Sequence, residues 1–173
     1  MRFAIRPADI DETPLTGEAP ANYVRRLSIE KADASMTSPL ASPAEILLAA
    51  DTTVDVNGEI LEKPLDADDA YRMLRMLSGR SHLVHTGVTV SVPIAAARRS
   101  STIVVTTEVT FADLEDATID WYLDTGEAMD KAGAYGIQGA AGAFVEKING
   151  SVTNVIGLPL AETLKLLRDA TSA

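Results

Sequence analysis

The chain has 173 residues, 46% of them hydrophobic and 23% charged, with a formal net charge of -10 and no cysteine. That length suits one domain, 1–173, able to bury a core of its own, and an aromatic content of 5% leaves this core to Leu, Ile, Val and Ala. The missing cysteines exclude disulfides, thiolate catalysis and Cys-ligated zinc, while the acidic balance argues against gripping nucleic acid, which takes clustered Lys and Arg.

A small anionic ligand remains compatible with this charge, given a local cationic pocket and a divalent metal between its phosphates and the protein's carboxylates. No run approaches roughly eighteen apolar residues, and Met1 to Pro7 has no signal-peptide apolar region, which predicts a soluble, cytoplasmic protein without a membrane partner.

In chain order, Phe3 and Ile5 alternate with Arg2 and Arg6 as in a half-buried strand, and Pro7 to Gly17 reads as an acidic loop with Asp9, Asp11 and Glu12. A helix is expected from Ala19-Pro20 through Tyr23, Val24, Leu27 and Ile29 to about Ala34, then a loop with Ser38-Pro39 and Ser42-Pro43. Ile46 to Ala50 is a continuous apolar run, read as a strand buried on both faces, with Asp51-Thr52-Thr53 where it emerges. Asn57-Gly58 is the strongest hairpin signal, returning the chain through Ile60 to Pro64.

Asp66 opens a helix with Tyr71, Met73, Leu74 and Leu77 at helical spacing, stopped by Ser78-Gly79. Two β-branched strands follow, His82 to Val92 and Thr102 to Phe111, joined by a loop around Pro93 to Arg99. A helix from Ala117 to Leu123, a glycine-rich run, a strand from Phe144 to Ile148 and an amphipathic helix from Leu158 to about Arg168 complete the chain. This order predicts an α/β fold, a mixed sheet flanked by helices.

The glycine-rich run, Asp130 to Gly139, sets an acid, Lys131, Tyr135 and Gln138 among three glycines, a composition suited to a pocket wall as well as to a solvated turn. Asp51, after a buried strand, is the strongest acid candidate, and the hairpin returns Lys63 to the same end of the sheet. Such a pair suits metal-dependent attack on a phosphate, the acid holding metal or water and the cation offsetting charge; it also suits a surface ion pair. Glu12 and Lys31 add an acid and a cation, each by itself an ordinary solvated side chain. His82 and His85, three apart in a strand, face opposite sides and make a poor metal pair. Serine-hydrolase, Walker-type and dinucleotide-binding signatures are all missing.

The blocks Ile10-Asp11-Glu12-Thr13, Tyr23 to Leu27, Glu30-Lys31-Ala32, Ala50 to Val54, Gly58 to Pro64, Leu77 to Arg80, Asp130 to Gly139 and Val155 to Leu160, in this order and spacing, resemble the Maf-type nucleoside triphosphate pyrophosphatases. The resemblance implies an inosine triphosphatase-like, two-lobed fold with a central cleft, a homodimer, and cleavage of a nucleoside triphosphate between its α and β phosphates with Mg²⁺ or Mn²⁺. It implies Asp51 as the base or metal ligand, Glu12 as a second acid at the metal, Lys31 and Lys63 as phosphate-binding cations, and Gln138 as the base-reading amide, with Thr52, Lys131 and Tyr135 beside the substrate. Thr52 after the acid and Gln138 in the later block look like the dTTP and UTP branch. Residues Arg2 to Glu12 match the family's second strand and acidic loop, so the expected chain lacks the first strand, Ser-x-Ser-Pro-Arg-Arg-like loop and helix, and binds triphosphate weakly. The alternative is a non-catalytic, nucleotide-binding protein with a regulatory role in septum formation.

Overall fold

A computed structural model of the chain describes residues 3–37, 42–95 and 97–172. In chain order its elements are α1 (Pro20–Thr37), β1 (Leu47–Val56), β2 (Glu59–Leu61), α2 (Ala67–Leu77), β3 (Ser81–Ile94), β4 (Ala97–Phe111), α3 (Asp116–Asp124), β5 (Val145–Asn149), α4 (Val152–Ile156) and α5 (Leu160–Thr171). The strands form one sheet in the order β2-β1-β3-β4-β5, and every pairing among the described residues is antiparallel. The α/β architecture with a helix-flanked sheet is as expected, while the sheet is antiparallel among the described residues and not mixed.

Alternation along β3 decides which helix covers which face. Val84, Val88 and Val90 point one way and Gly87 and Thr89 the other. On the first face Val54, Val56, Val84, Val109 and Phe111 meet Leu74 and Leu77 of α2 and Ile119 and Tyr122 of α3 in the main core. On the other face α1 lies against β1 and β3, with Tyr23, Val24 and Leu27 buried and Ser28 Oγ 3.0 Å from Thr89 Oγ1. Gly87 permits this approach, because a Cβ there would overlap the carbonyl of Val24.

Three local expectations are corrected. Phe3 and Ile5 form no strand: they are 82% and 83% exposed, with no sheet neighbour to pair with, and this segment is tied instead by Arg6 to Glu45 at 2.7 Å. The apolar run before Asp51 is not buried on both faces, since Ile46 and Leu48 are 42% and 41% exposed, and the strand continues through Asp51 to Val56. The loop expected from Pro93 to Arg99 is mostly paired strand, with Pro93 opposite Arg98; the Arg98 guanidinium donates to the carbonyls of Glu45 at 2.6 Å and Ser91 at 2.8 Å and so holds the hairpin extended. The expected Ser38-Pro39 loop lies outside the described residues.

The other elements follow their local chemistry. Asp66 caps α2 by accepting from the Asp69 N–H at 2.8 Å, and β1 turns into β2 across Asn57-Gly58 with Val56 opposite Glu59. The final helix expected from Leu158 to about Arg168 is α5, Leu160–Thr171, and before it stands a short helix the sequence reading did not anticipate, α4, capped by the Ser151 side chain.

Candidate active site

Asp51 lies in the middle of β1, opposite Gly87, and not at a strand end. It is reachable because β2 is only three residues long and pairs with Val54 to Val56 alone, leaving the Leu47 to Thr53 edge of β1 without a strand partner among the described residues. The side chains of adjacent residues then diverge, Asp51 toward α1 and Thr52 toward α4. A cleft of about 780 Å³ opens along this edge and is lined by Glu12, Lys31, Asp51, Thr52, Lys63, Lys131, Tyr135 and Gln138, all eight of the residues singled out in the sequence.

The centre of its charged wall is Lys31, on the face of α1 that turns to β1. Its Nζ donates to Asp51 Oδ1 at 2.6 Å and is 2.8 Å from Glu12 Oε1. The Asp51 side chain is 9% exposed, and burial pushes its carboxyl above the usual aspartate range despite the pull of Lys31. Burial also opposes the Lys31 charge, but its hydrogen bonds to Asp51 and Glu12 outweigh that and raise its pKa. The residues by themselves joined Asp51 to Lys63 and left Lys31 and Glu12 as solvated side chains that only the family resemblance brought to the site; in the fold Lys31 is the direct partner, while Lys63 is exposed, lines the cleft and makes none of the ion pairs among the described residues.

The facing wall is the glycine-rich run, folded as two short 3-10 turns, Ala132–Ala134 and Ala140–Phe144, around an extended centre. Gly133, at a φ of 67°, donates its N–H to the carbonyl of Glu62 at 3.0 Å and packs so closely on Val54 that a Cβ would sit 2.8 Å from Cγ2. This pins the run to the end of β2. Gln138 is exposed in the cleft, Glu127 accepts from the Ala140 N–H at 2.9 Å behind it, and Lys131 pairs with Asp130. Tyr135 lines the cleft by position, but its hydroxyl is in the core, 2.8 Å from His82 Nε2, with its ring edge-on to Phe111.

Thr52 closes the floor. Its Oγ1 is 2.9 Å from Thr86 Oγ1 and donates to the Gly157 carbonyl at 3.3 Å, while buried Asn154 donates to the Val84 carbonyl at 2.9 Å and to Thr107 Oγ1 at 3.1 Å. Asn154, Glu127, Tyr23 and Glu62 brace the cleft without having been singled out in the sequence: Tyr23 and Glu62 lie inside the family blocks and the other two outside them, and each makes its contacts with neighbours distant in sequence.

The donor chemistry suits a hard cation. Glu12 and Asp51 converge on one ammonium, and Mg²⁺ or Mn²⁺ is commonly held by one or two carboxylates completed by water and phosphate oxygens. Among the described residues no cluster of three or more His, Cys, Asp or Glu side chains forms an all-protein cage. No helix among them is long and apolar enough to cross a membrane.

The chain is similar over its whole length to known proteins. The dTTP/UTP pyrophosphatase of Anaeromyxobacter dehalogenans is 57% identical over 170 residues, which cover 98% of this chain and 84% of that protein. The dTTP/UTP pyrophosphatase of Myxococcus xanthus is 49% identical over 170 residues, 98% of this chain and 83% of its own length. That of Shewanella oneidensis is 51% identical over 164 residues, 94% and 81% of the two chains. The family described as Maf-like protein matches residues 1–170, and the chain belongs to that family.

Proposed function

We propose that the protein is a nucleoside triphosphate pyrophosphatase that converts dTTP and UTP to the monophosphate and pyrophosphate. The observation that carries this reading is the pairing of two cleft walls: Asp51 bonded to Lys31 on one side and the exposed amide of Gln138 on the other. The activity named for relatives 57% and 49% identical to the chain supports it.

In this reading Asp51 is the general base. Its raised pKa makes the carboxylate a better proton acceptor, and Lys31 fixes its orientation. The water oxygen forms a bond to the α-phosphorus, the bond from that phosphorus to the oxygen bridging the β-phosphate breaks, pyrophosphate leaves with the electron pair, and the water proton passes to Asp51. Lys31 and Lys63 offset charge on the phosphate oxygens. Asp51 and Glu12 would hold a Mg²⁺ or Mn²⁺ ion, which would further neutralise the phosphate charge. Gln138 reads the base, since an amide both accepts from a pyrimidine N3–H and donates to a carbonyl. Thr52 and Lys131 line the substrate's path, and Tyr135 stiffens the wall that carries Gln138. We infer a cytoplasmic homodimer, since its substrates belong to the cellular nucleotide pool and the family resemblance implies a dimer.

The test is turnover of dTTP with Mg²⁺ in ¹⁸O-labelled water, comparing wild type with Asp51→Asn. The expected result is label in dTMP and not in pyrophosphate, with at least a hundredfold loss in the variant. Label in pyrophosphate, or a fully active variant, contradicts the reading.

A further inference from the structure

We propose that Tyr23 is a positioning residue of this cleft, acting through Glu12. Its ring belongs to the contact of α1 with the sheet and is 3% exposed, yet its hydroxyl reaches the cleft, 2.9 Å from the main-chain carbonyl oxygen of Glu12 and 2.8 Å from Oε1 of Glu62. These partners come from separate segments. Glu12 lies in the irregular acidic loop before α1, and Glu62 directly follows β2.

The Glu12 side chain is 45% exposed and pairs with Lys31 from a stretch of backbone that belongs to no helix or strand. Holding such a carboxylate in one place costs conformational entropy unless its backbone is anchored. The anchor on its own carbonyl is Tyr23. Both partners of the phenol are acceptors and it has one proton to give, so the hydroxyl is shared between them; burial first, and the neighbouring carboxylates after it, keep that proton in place by raising the phenol pKa. One hydroxyl thus joins the loop bearing Glu12 to the strand end bearing Lys63 and sets the spacing of acid and cation across the cleft.

This rests on the reading of the cleft as a nucleotide site. The variant is Tyr23→Phe, which keeps the ring and removes the pin. The expected result is kcat for dTTP lowered about tenfold, KM within about twofold, and Mn²⁺ binding without nucleotide, read by electron paramagnetic resonance, weakened about fivefold, with an unchanged circular dichroism spectrum. Wild-type kcat and Mn²⁺ affinity in Y23F would overturn the proposal. Should Y23F not fold, exposed Glu62 carries the test: E62A lowers kcat about threefold, and E62Q, whose amide still bonds the phenol, restores it. E62A equal to wild type, or E62Q no better than E62A, overturns it. Failure of the functional reading looks different, because wild type itself then leaves dTTP intact.

Discussion

The ammonium of Lys31 is shared by two carboxylates from separate segments, Asp51 in the sheet at 2.6 Å and Glu12 in the acidic loop at 2.8 Å. Lys31→Met removes the cation and leaves Asp51, with its side chain 9% exposed, without that partner. The expected stability loss is about 1–3 kcal/mol, less than for a fully buried pair because the Lys31 side chain is 19% exposed. Asp51→Asn removes a desolvated charge instead and is expected to leave the melting temperature unchanged or raised. Thermal unfolding of both variants beside dTTP turnover checks this, since a catalytic role demands that both lose at least a hundredfold in kcat/KM while their stabilities move differently.

Lys63 makes no ion pair among the described residues and is exposed. Lys63→Met is expected to raise KM for dTTP about tenfold while the melting temperature stays within about a degree, because a solvated cation contributes little to folding and much to a triphosphate. Steady-state kinetics at two salt concentrations test the point. An unchanged KM removes Lys63 from the phosphate-binding set.

His82 links the site wall to acid stability. Burial pushes its pKa down to about 4, its ring is 3% exposed, and Nδ1 has no partner among the described residues. The neutral form is the folded form, so its contribution is complete above the unfolded value of about 6.5 and is lost as pH falls from there through about 4. The full loss is on the order of 3 kcal/mol for this histidine. Urea titrations of wild type and His82→Phe at several pH values across that window are expected to show the shallower acid slope in the variant. Parallel slopes would mean that the carboxylates alone set acid stability.

Gly87 couples packing to catalysis. Since a Cβ there overlaps the Val24 carbonyl, Gly87→Ala has to push α1, and with it Lys31, away from β3 and Asp51. The expected cost is about 3 kcal/mol or loss of soluble protein, with turnover in the surviving protein reduced more than in an α1 surface variant of equal stability. Chemical denaturation paired with kcat measures both effects.

Elements with strong local signals were legible from the residues. The Asn57-Gly58 hairpin, the Asp66 cap and the two long β-branched strands each follow from chemistry within a few positions. Phe3 and Ile5 show the limit of that reasoning, since alternation makes a strand only where a neighbouring strand accepts its hydrogen bonds. The short α4 was missed as well, and its Asn154 bonds Val84 and Thr107, contacts that no local pattern encodes.

Residue chemistry by itself settled which acids, cations and amide were available, and the family blocks settled their order along the chain. Tertiary structure alone decided who touches whom: Lys31 and not Lys63 on Asp51, Tyr135 turned into the core, and Tyr23 at the junction of two segments. The reason is physical. Side-chain type is local, whereas a hydrogen bond between residues 20 or 39 positions apart depends on how closely a helix can lie on a sheet, and here a glycine without a Cβ sets that distance.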